Sequence, residues 1–291
     1  MFDGQWRKTA YHDYFNSFLK SKSAITKILS KPIHEASILI IGCGYLYPDV
    51  FLYSKVAKEV VGIDVVDCFW RDGLTKYFIN NFRNKRNLKD ILVGVNKILR
   101  NRLGVKKGYY GWFEGHMGQK VSHDKLTLIS YDGLELPFDD NSFDVVLSNA
   151  VIEHMMELDL VTKEMARVTS PNGINYHLYH NYYSFSGNHQ PYYMNKRYPW
   201  GHLRGLIDTN PNHLNKVKIS ELESHFQKYF SRVSYFSISQ DHSRMGLDDG
   251  FSWEEEELFE KYRRVLEKQY SEELLLSRAF LIVGERKRKH F

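Results

Sequence analysis

Cysteine is scarce in this sequence: Cys43 and Cys68 are the two in 291 residues. Two cannot build the disulfide framework of a small secreted scaffold, and a reducing compartment is the simpler expectation. There is no apolar run of about 18 residues, which removes a membrane-spanning helix. The opening Met1-Phe2-Asp3-Gly4-Gln5-Trp6 lacks the apolar core of a secretory signal, so a cytoplasmic location is expected. Internal repeats and low-complexity linkers are also missing, so a single domain over 1–291 is expected, with helices at 6–31 ahead of the first strand. Charge of one sign is in short supply as well: a net +5 does not by itself argue for nucleic acid. Aromatics, in contrast, are abundant, with 20 Tyr and 18 Phe. They suit a ring-bearing ligand such as a carbohydrate, or simply an aromatic-rich core.

The chain is organised around Ile38-Leu39-Ile40-Ile41-Gly42-Cys43-Gly44. Four apolar residues in a row read as a strand buried on both faces, and two glycines end it. A Gly-x-Gly turn after such a strand lets the backbone approach a nucleotide-like ligand, although it is also an ordinary turn. Apolar residues from Tyr11 to Leu29 recur at helical spacing before it. Glu59–Asp64 reads as a second strand, and its terminal Asp64 stands 22 residues after Gly42. That is the distance at which a strand-tip carboxylate accepts hydrogen bonds from a ribose. Further strands are expected at Leu126–Gly133, Val145–Asn149, Ile174–Tyr179, Ser231–Ile238 and Ala279–Val283. Helices are expected at Leu158–Val168, Ser220–Phe230 and Trp253–Gln269. Strands alternating with helices imply a parallel, doubly wound α/β sheet.

The segment 71–125 is longer than a strand-to-strand connection needs. It carries thirteen Lys and Arg against four acids, a surplus of nine, with an amphipathic helical stretch from Leu88 to Leu103. An aromatic and glycine-rich loop, Gly108–His116, follows. This basic helical insert is read as a lid or oligomer contact, as a surface for an anionic membrane or a phosphate-bearing acceptor, or, less favoured, as an RNA-binding face.

Ile41-Gly42-Cys43-Gly44, Val61-Gly62-Ile63-Asp64, Asp132-Gly133 with Leu136-Pro137-Phe138, Asn141-Ser142-Phe143-Asp144, Glu153-His154, and Glu164–Arg167 with Pro171-Asn172-Gly173 stand in register with one family. From Ile38 to Gly173 the chain resembles the class I S-adenosylmethionine-dependent methyltransferases, and the methyltransferase-11-like domain among them. The resemblance implies a seven-stranded, mostly parallel Rossmann-like sheet and S-adenosylmethionine as cofactor, leaving as S-adenosylhomocysteine. It implies that Gly42, Cys43 and Gly44 meet the methionine part and that Asp64, with Val65 beside it, holds the ribose. Asp132 and Gly133 would meet the adenine, and the backbone of Asn149 would lie near the donor methyl. Ile40 stands where the family often has an acid, and Leu46 where it has a third glycine. The amino-acid end of the cofactor is therefore expected to meet polar groups from the N-terminal helices.

A hydroxyl acceptor needs its proton removed, which suits His or a carboxylate. His177, His180, His189, His202 and His213 cluster after the fifth strand, where the sites of such sheets lie. His189 is expected as the base, with His180 second; His154 is read as structural or as a wall of the acceptor pocket. No metal is expected, because His177 and His180 are three apart on a strand and face opposite ways. The loop region 181–215, with Tyr182, Tyr183, Phe185, Tyr198 and Trp200, is loosely similar to methyltransferases of bacterial glycan synthesis and suggests O-methylation of a saccharide. The alternatives are an RNA or other small-molecule methyltransferase, and a non-catalytic protein of the same fold.

Overall fold

The computed structural model describes residues 2–66, 69–72, 102–131, 134–208, 214–239 and 253–286. Its sheet has seven strands: β1 (Ser37–Ile41), β2 (Glu59–Asp64), β3 (Thr127–Ser130), β4 (Phe143–Asn149), β5 (Thr169–His180), β6 (Arg232–Ser239) and β7 (Ser277–Glu285). They lie in the order β3-β2-β1-β4-β5-β7-β6. All pairings are parallel except those of β7, which runs against both β5 and β6. The expected doubly wound, mostly parallel sheet is therefore present.

The central strand explains the layering. Ile38 and Ile40 point into one core with Phe18, Ile25 and Tyr53, while Leu39 and Ile41 point into the other with Ile152, Met165 and Phe280. A strand covered by helices on both faces needs apolar side chains at every position, which is why Ser37–Ile41 reads as a continuous run. From β1 the chain moves outward through β2 to β3, then returns to β4 on the other side. A cleft opens where that order reverses, beyond the carboxyl ends of β1 and β4.

The first core is closed by the N-terminal helices. Helix α1 (Phe2–His12) passes through a π-helical turn, Asp13–Phe18, into α2 (Leu19–Ile28). The run begins and ends a few residues earlier than the expected 6–31. The stretch Gly108–His116, expected as a loop, is helical instead: a π-helical turn over Val105–Tyr110 runs into α4 (Gly111–Met117), following α3 (Pro48–Tyr53) in chain order. Tyr109, Tyr110 and Phe113 recur at helical spacing and are buried against Trp6, Tyr14 and Phe51. That burial overrides the weak helix propensity of the flanking glycines.

Two further boundaries moved. Strand β5 starts at Thr169, and Ser170–Gly173 forms an irregularity within it; Asn172 takes a left-handed φ of 68° there and bonds Arg286 O at 2.5 Å. Beyond α5 (Leu158–Val168), α6 (Tyr192–Arg197) and α7 (Ile219–Gln227), the expected C-terminal helix is α8 (Trp253–Leu266), with a short α9 (Glu272–Leu276) after it. Phe185 and Trp200, expected near a ligand, instead build a third core with Phe259, Leu266 and Leu275. Residues 73–101 of the basic insert, with its amphipathic stretch, lie outside the described residues, as do Cys68 and His213.

Candidate active site

The glycine turn is fixed to β2. Gly42 N and Cys43 N both donate to Ile63 O, at 2.8 and 3.1 Å. Gly44 N donates to Asp64 Oδ2 at 2.6 Å, and Val66 N to Asp64 Oδ1 at 3.1 Å. Gly42 has φ +68°, and a Cβ there would stand 2.2 Å from Val151 Cγ2. Glycine is thus favoured twice over, by the left-handed turn and by the close approach of the Val151 side chain. Each oxygen of Asp64 takes one backbone donor, and a carboxylate offers about four acceptor sites, so two remain for a diol. Cys43 is buried, and its thiol is pushed well up by burial and the Asp64 charge, so it is inert.

A cavity of about 670 Å³ opens on this turn. Its floor is Gly42, Gly44, Ile63 and Asp64, and its far wall is Ala150, Val151 and His154. Its mouth is apolar: Val65, 70% exposed, stands near Leu134 and Met156. The 134–138 wall is clamped by a pair the sequence reading quoted without a role. Leu136 N donates to Glu164 Oε2 at 2.9 Å, and Arg167 donates to Leu136 O at 2.9 Å and Phe138 O at 2.8 Å. Asn149 ends β4 with its Nδ2 3.1 Å from Ser17 Oγ of the N-terminal helices. Asp132 and Gly133 lie outside the described residues.

The region of Ile40 and Leu46 is filled differently from the family's pattern. Ile40 is core. Tyr47, at φ 42°, turns its ring inward, and its hydroxyl lies 3.0 Å from His123 Nδ1. Tyr110 donates to Leu46 O at 2.9 Å. The polar groups nearby are Asp49, pushed up to about 7 by burial and by Asp13, and Asp13 itself, which accepts from Tyr109 Oη at 2.5 Å.

On the other side of His154 a second group of side chains gathers. Glu153, His180 and His189 each bring one nitrogen or oxygen within 4.8 Å of the others. His180 Nδ1 is 3.4 Å from Glu153 Oε1. The ring of His189 stands 5.5 Å from that of His180 and 5.4 Å from that of His154, so His154, which lines the cavity, also adjoins the cluster. Glu153 is 3% exposed, and burial pushes its carboxyl up to about 7. Burial and the neighbouring His189 pull the His180 imidazole well below its usual range, and burial with His154 does the same to His189.

Two turns deliver these groups. Ser184 N, Gly187 N and His189 N each bond back to the carbonyl three residues earlier, coiling the chain so that His189 returns beneath β5. Gly187 is essential to the coil, since a Cβ there would meet Asn181 O and Tyr182 O at 2.2 Å. The 152–155 turn is latched by Asn215, which the sequence reading missed. Its Nδ2 donates to Ile152 O at 2.6 Å and Met155 O at 2.8 Å, and its N–H to Glu153 O at 2.9 Å. The remaining histidines are elsewhere. His177 is buried between Ser148 and Asn175 and packs on Phe226; His202 is held by Tyr182 O.

Known proteins match in the same region. A family profile described as a methyltransferase domain matches residues 115–176. The match agrees with the expected resemblance to the class I S-adenosylmethionine-dependent methyltransferases. A demethylmenaquinone methyltransferase of Corynebacterium urealyticum is 42% identical over 52 residues, 18% of this chain and 23% of that one. An uncharacterized methyltransferase of Mycobacteroides abscessus is 38% identical over 61 residues, 21% of this chain and 23% of that one. The matched stretch thus spans under a quarter of the length of each relative. Among solved structures, phosphoethanolamine N-methyltransferase 2 of Haemonchus contortus, in complex with S-adenosyl-L-methionine, superposes with a TM-score of 0.50 at 15% identity, over 99% of this chain and 57% of that one. At that identity the likeness speaks for the fold alone.

The family's cofactor fits the groups present. A 670 Å³ cavity is of ligand size. Gly42 and Gly44 leave room at its floor, Asp64 keeps two acceptor positions for ribose hydroxyls, and Val65, Leu134 and Met156 offer an apolar slot for a ring. The amide hydrogens of Gly42, Cys43 and Gly44 are already committed to β2 and Asp64, so these residues contribute shape rather than donors.

Proposed function

We propose that this protein binds S-adenosylmethionine in the cavity and directs its methyl group to an acceptor hydroxyl, with a saccharide or glycan precursor as the acceptor class. One observation carries the reading: the Glu153, His180 and His189 cluster lies one imidazole, His154, away from the cavity. A neutral amine acceptor needs no base, whereas a hydroxyl must lose its proton as it is methylated. Neutral imidazoles beside a buried carboxylate suit an oxygen acceptor. In this reading His189 takes the proton, and His180 with Glu153 stands behind it. The cofactor supplies an electrophilic methyl; the chain holds donor and acceptor in line, which is its larger contribution.

Half-buried Tyr182 supports the saccharide reading, since it brings an aromatic ring and a hydroxyl past the end of β5, whereas the Tyr183 hydroxyl donates to Lys216 O. Phe185 and Trp200 take no part, being core. The positive surplus of 71–125 favours an acceptor that carries phosphate, as in a nucleotide- or lipid-linked sugar. Within the described part, however, Arg71 is spent on the carbonyls of His123 and Leu126, and Arg102 on Trp70 O and the Trp70 ring. No helix among the described residues is long and apolar enough to cross a membrane.

Calorimetry with S-adenosylmethionine tests the first half, and absence of binding at high micromolar concentration would remove the enzymatic reading. Transfer of labelled methyl to a panel of free and nucleotide-linked saccharides tests the second. Label found on RNA or protein alone would overturn the acceptor class.

A further inference from the structure

We propose that Glu153, His180 and His189 form a site for one divalent transition-metal ion of the zinc type. One ligand atom from each lies within 4.8 Å of the other two. His180 Nδ1 and Glu153 Oε1 are 3.4 Å apart. Two ligands bound at about 2.1 Å around a tetrahedral ion stand about 3.4 Å from each other, so this pair already has the spacing of a coordinated pair. The spacing is also long for a charge-assisted hydrogen bond.

Glu153 supplies an independent observation. It is 3% exposed, and neither carboxylate oxygen has a hydrogen-bond partner in the described structure. The backbone N–H groups of Glu153 and His180 lie close enough to oppose the effect of burial without cancelling it. A carboxylate placed this way is unfavourable unless a cation or a proton neutralises it. The donors are also preorganised, because Asn215 latches the turn carrying Glu153 and the coil through Gly187 fixes His189.

Two imidazole nitrogens and one carboxylate oxygen are the donor set of open zinc sites, which keep a further position for water or substrate. The same set suits Fe(II) or Mn(II) and is a poor match for Mg²⁺ or Ca²⁺, which prefer oxygen. The open position would take the acceptor oxygen and lower its pKa, so that its proton passes to solvent water rather than to His189. That role, unlike the binding of the ion, rests on the methyl-transfer reading. With the ion present, the two imidazoles act on the acceptor through it.

The full chain, stripped with a chelator and dialysed, is titrated with Zn²⁺ and Mg²⁺ by calorimetry and with Co²⁺ by visible absorption. One Zn²⁺ per chain is expected, with a Co²⁺ spectrum and no Mg²⁺ heat. Glu153→Ala, His180→Ala and His189→Ala should each weaken Zn²⁺ binding by about 100-fold or more, given that even outer-shell changes lose about 10- to 100-fold. Should Glu153→Ala fail to fold, His189→Ala carries the test. Lack of one-to-one Zn²⁺ binding, or binding that survives all three variants, overturns the proposal. Zn²⁺ binding without S-adenosylmethionine binding supports the site and removes the methyl-transfer reading; cofactor binding without Zn²⁺ binding does the reverse.

Discussion

The two halves of the site are built in opposite ways. The proposed cofactor half is mostly backbone at the ends of adjacent strands: Gly42, Gly44 and Asp64 are tied together by two main-chain hydrogen bonds to Ile63 O and a third from the Gly44 N–H to the Asp64 carboxylate. The proposed acceptor half is side chains, Glu153, His154, His180 and His189, drawn from separate turns and held by the Asn215 latch and the coil through Gly187. A backbone site is sensitive to any added Cβ and indifferent to most side-chain changes. A side-chain site fails when a distant latch is cut, although nothing that touches the ligand has changed.

The strongest break in that contrast is Gly42→Ala. Its Cβ would overlap the Val151 side chain, and L side chains rarely adopt its φ of +68°. Overpacking of about 1–3 kcal/mol and left-handed strain of about 1–2 kcal/mol add to a loss of cofactor affinity of ~100-fold or more. Calorimetry with S-adenosylmethionine reads this, with circular dichroism to check the fold. Next is Asp64→Ala, which removes a charged acceptor worth about 1.5–3 kcal/mol, so affinity falls ~10- to 100-fold with Zn²⁺ binding unchanged. An equal loss of both ligands would mean that the halves are not separate.

Asn215→Ala probes the other half. It frees the carbonyls of Ile152 and Met155 and lets the Glu153 turn drift; kcat should drop about tenfold while cofactor affinity stays within about twofold. Steady-state kinetics beside calorimetry would expose a mistaken division if affinity fell instead. Arg167→Ala loosens the 134–138 wall and should raise the cofactor Kd by about threefold to fivefold, near 1 kcal/mol.

The smallest expected effect is on stability and pH. The folded-state pKa of Asp49 lies at about 7, above that of an unfolded carboxyl. Its contribution to stability is therefore fully present below about pH 4 and is lost as pH rises through about 7. The melting temperature should fall between about pH 5 and pH 8, and Asp49→Asn should flatten that fall. An unchanged slope in the variant would assign the effect to other groups.

This division also explains what could be read without coordinates. The strand before Gly42 and the one ending in Asp64 were legible because a parallel strand covered on both faces needs an unbroken apolar run, and because a strand tip is a fixed place in the fold. His180 and His189 were given chemical roles, but Glu153 only a place in a motif, since an acid in the turn after β4 looks local until the coil after β5 brings His189 to it. Asn215 gave no signal, as its role is to satisfy carbonyls some sixty residues away. Phe185 and Trp200 show the converse. Composition announces an aromatic ring without saying which side of the chain it faces, and both rings went inward. At Gly108–His116 the glycines suggested a loop, whereas the spacing of Tyr109, Tyr110 and Phe113 carried the helix.

The 2.6 Å bond from Gly44 N to Asp64 joins the two motifs through one carboxylate. A ribose drawing on that carboxylate shares its electron density with the Gly44 amide. The Gly44 N–H therefore serves as a built-in reporter: its proton chemical shift and its exchange rate with solvent will register occupancy of the cavity from within the fold, without a label on the ligand.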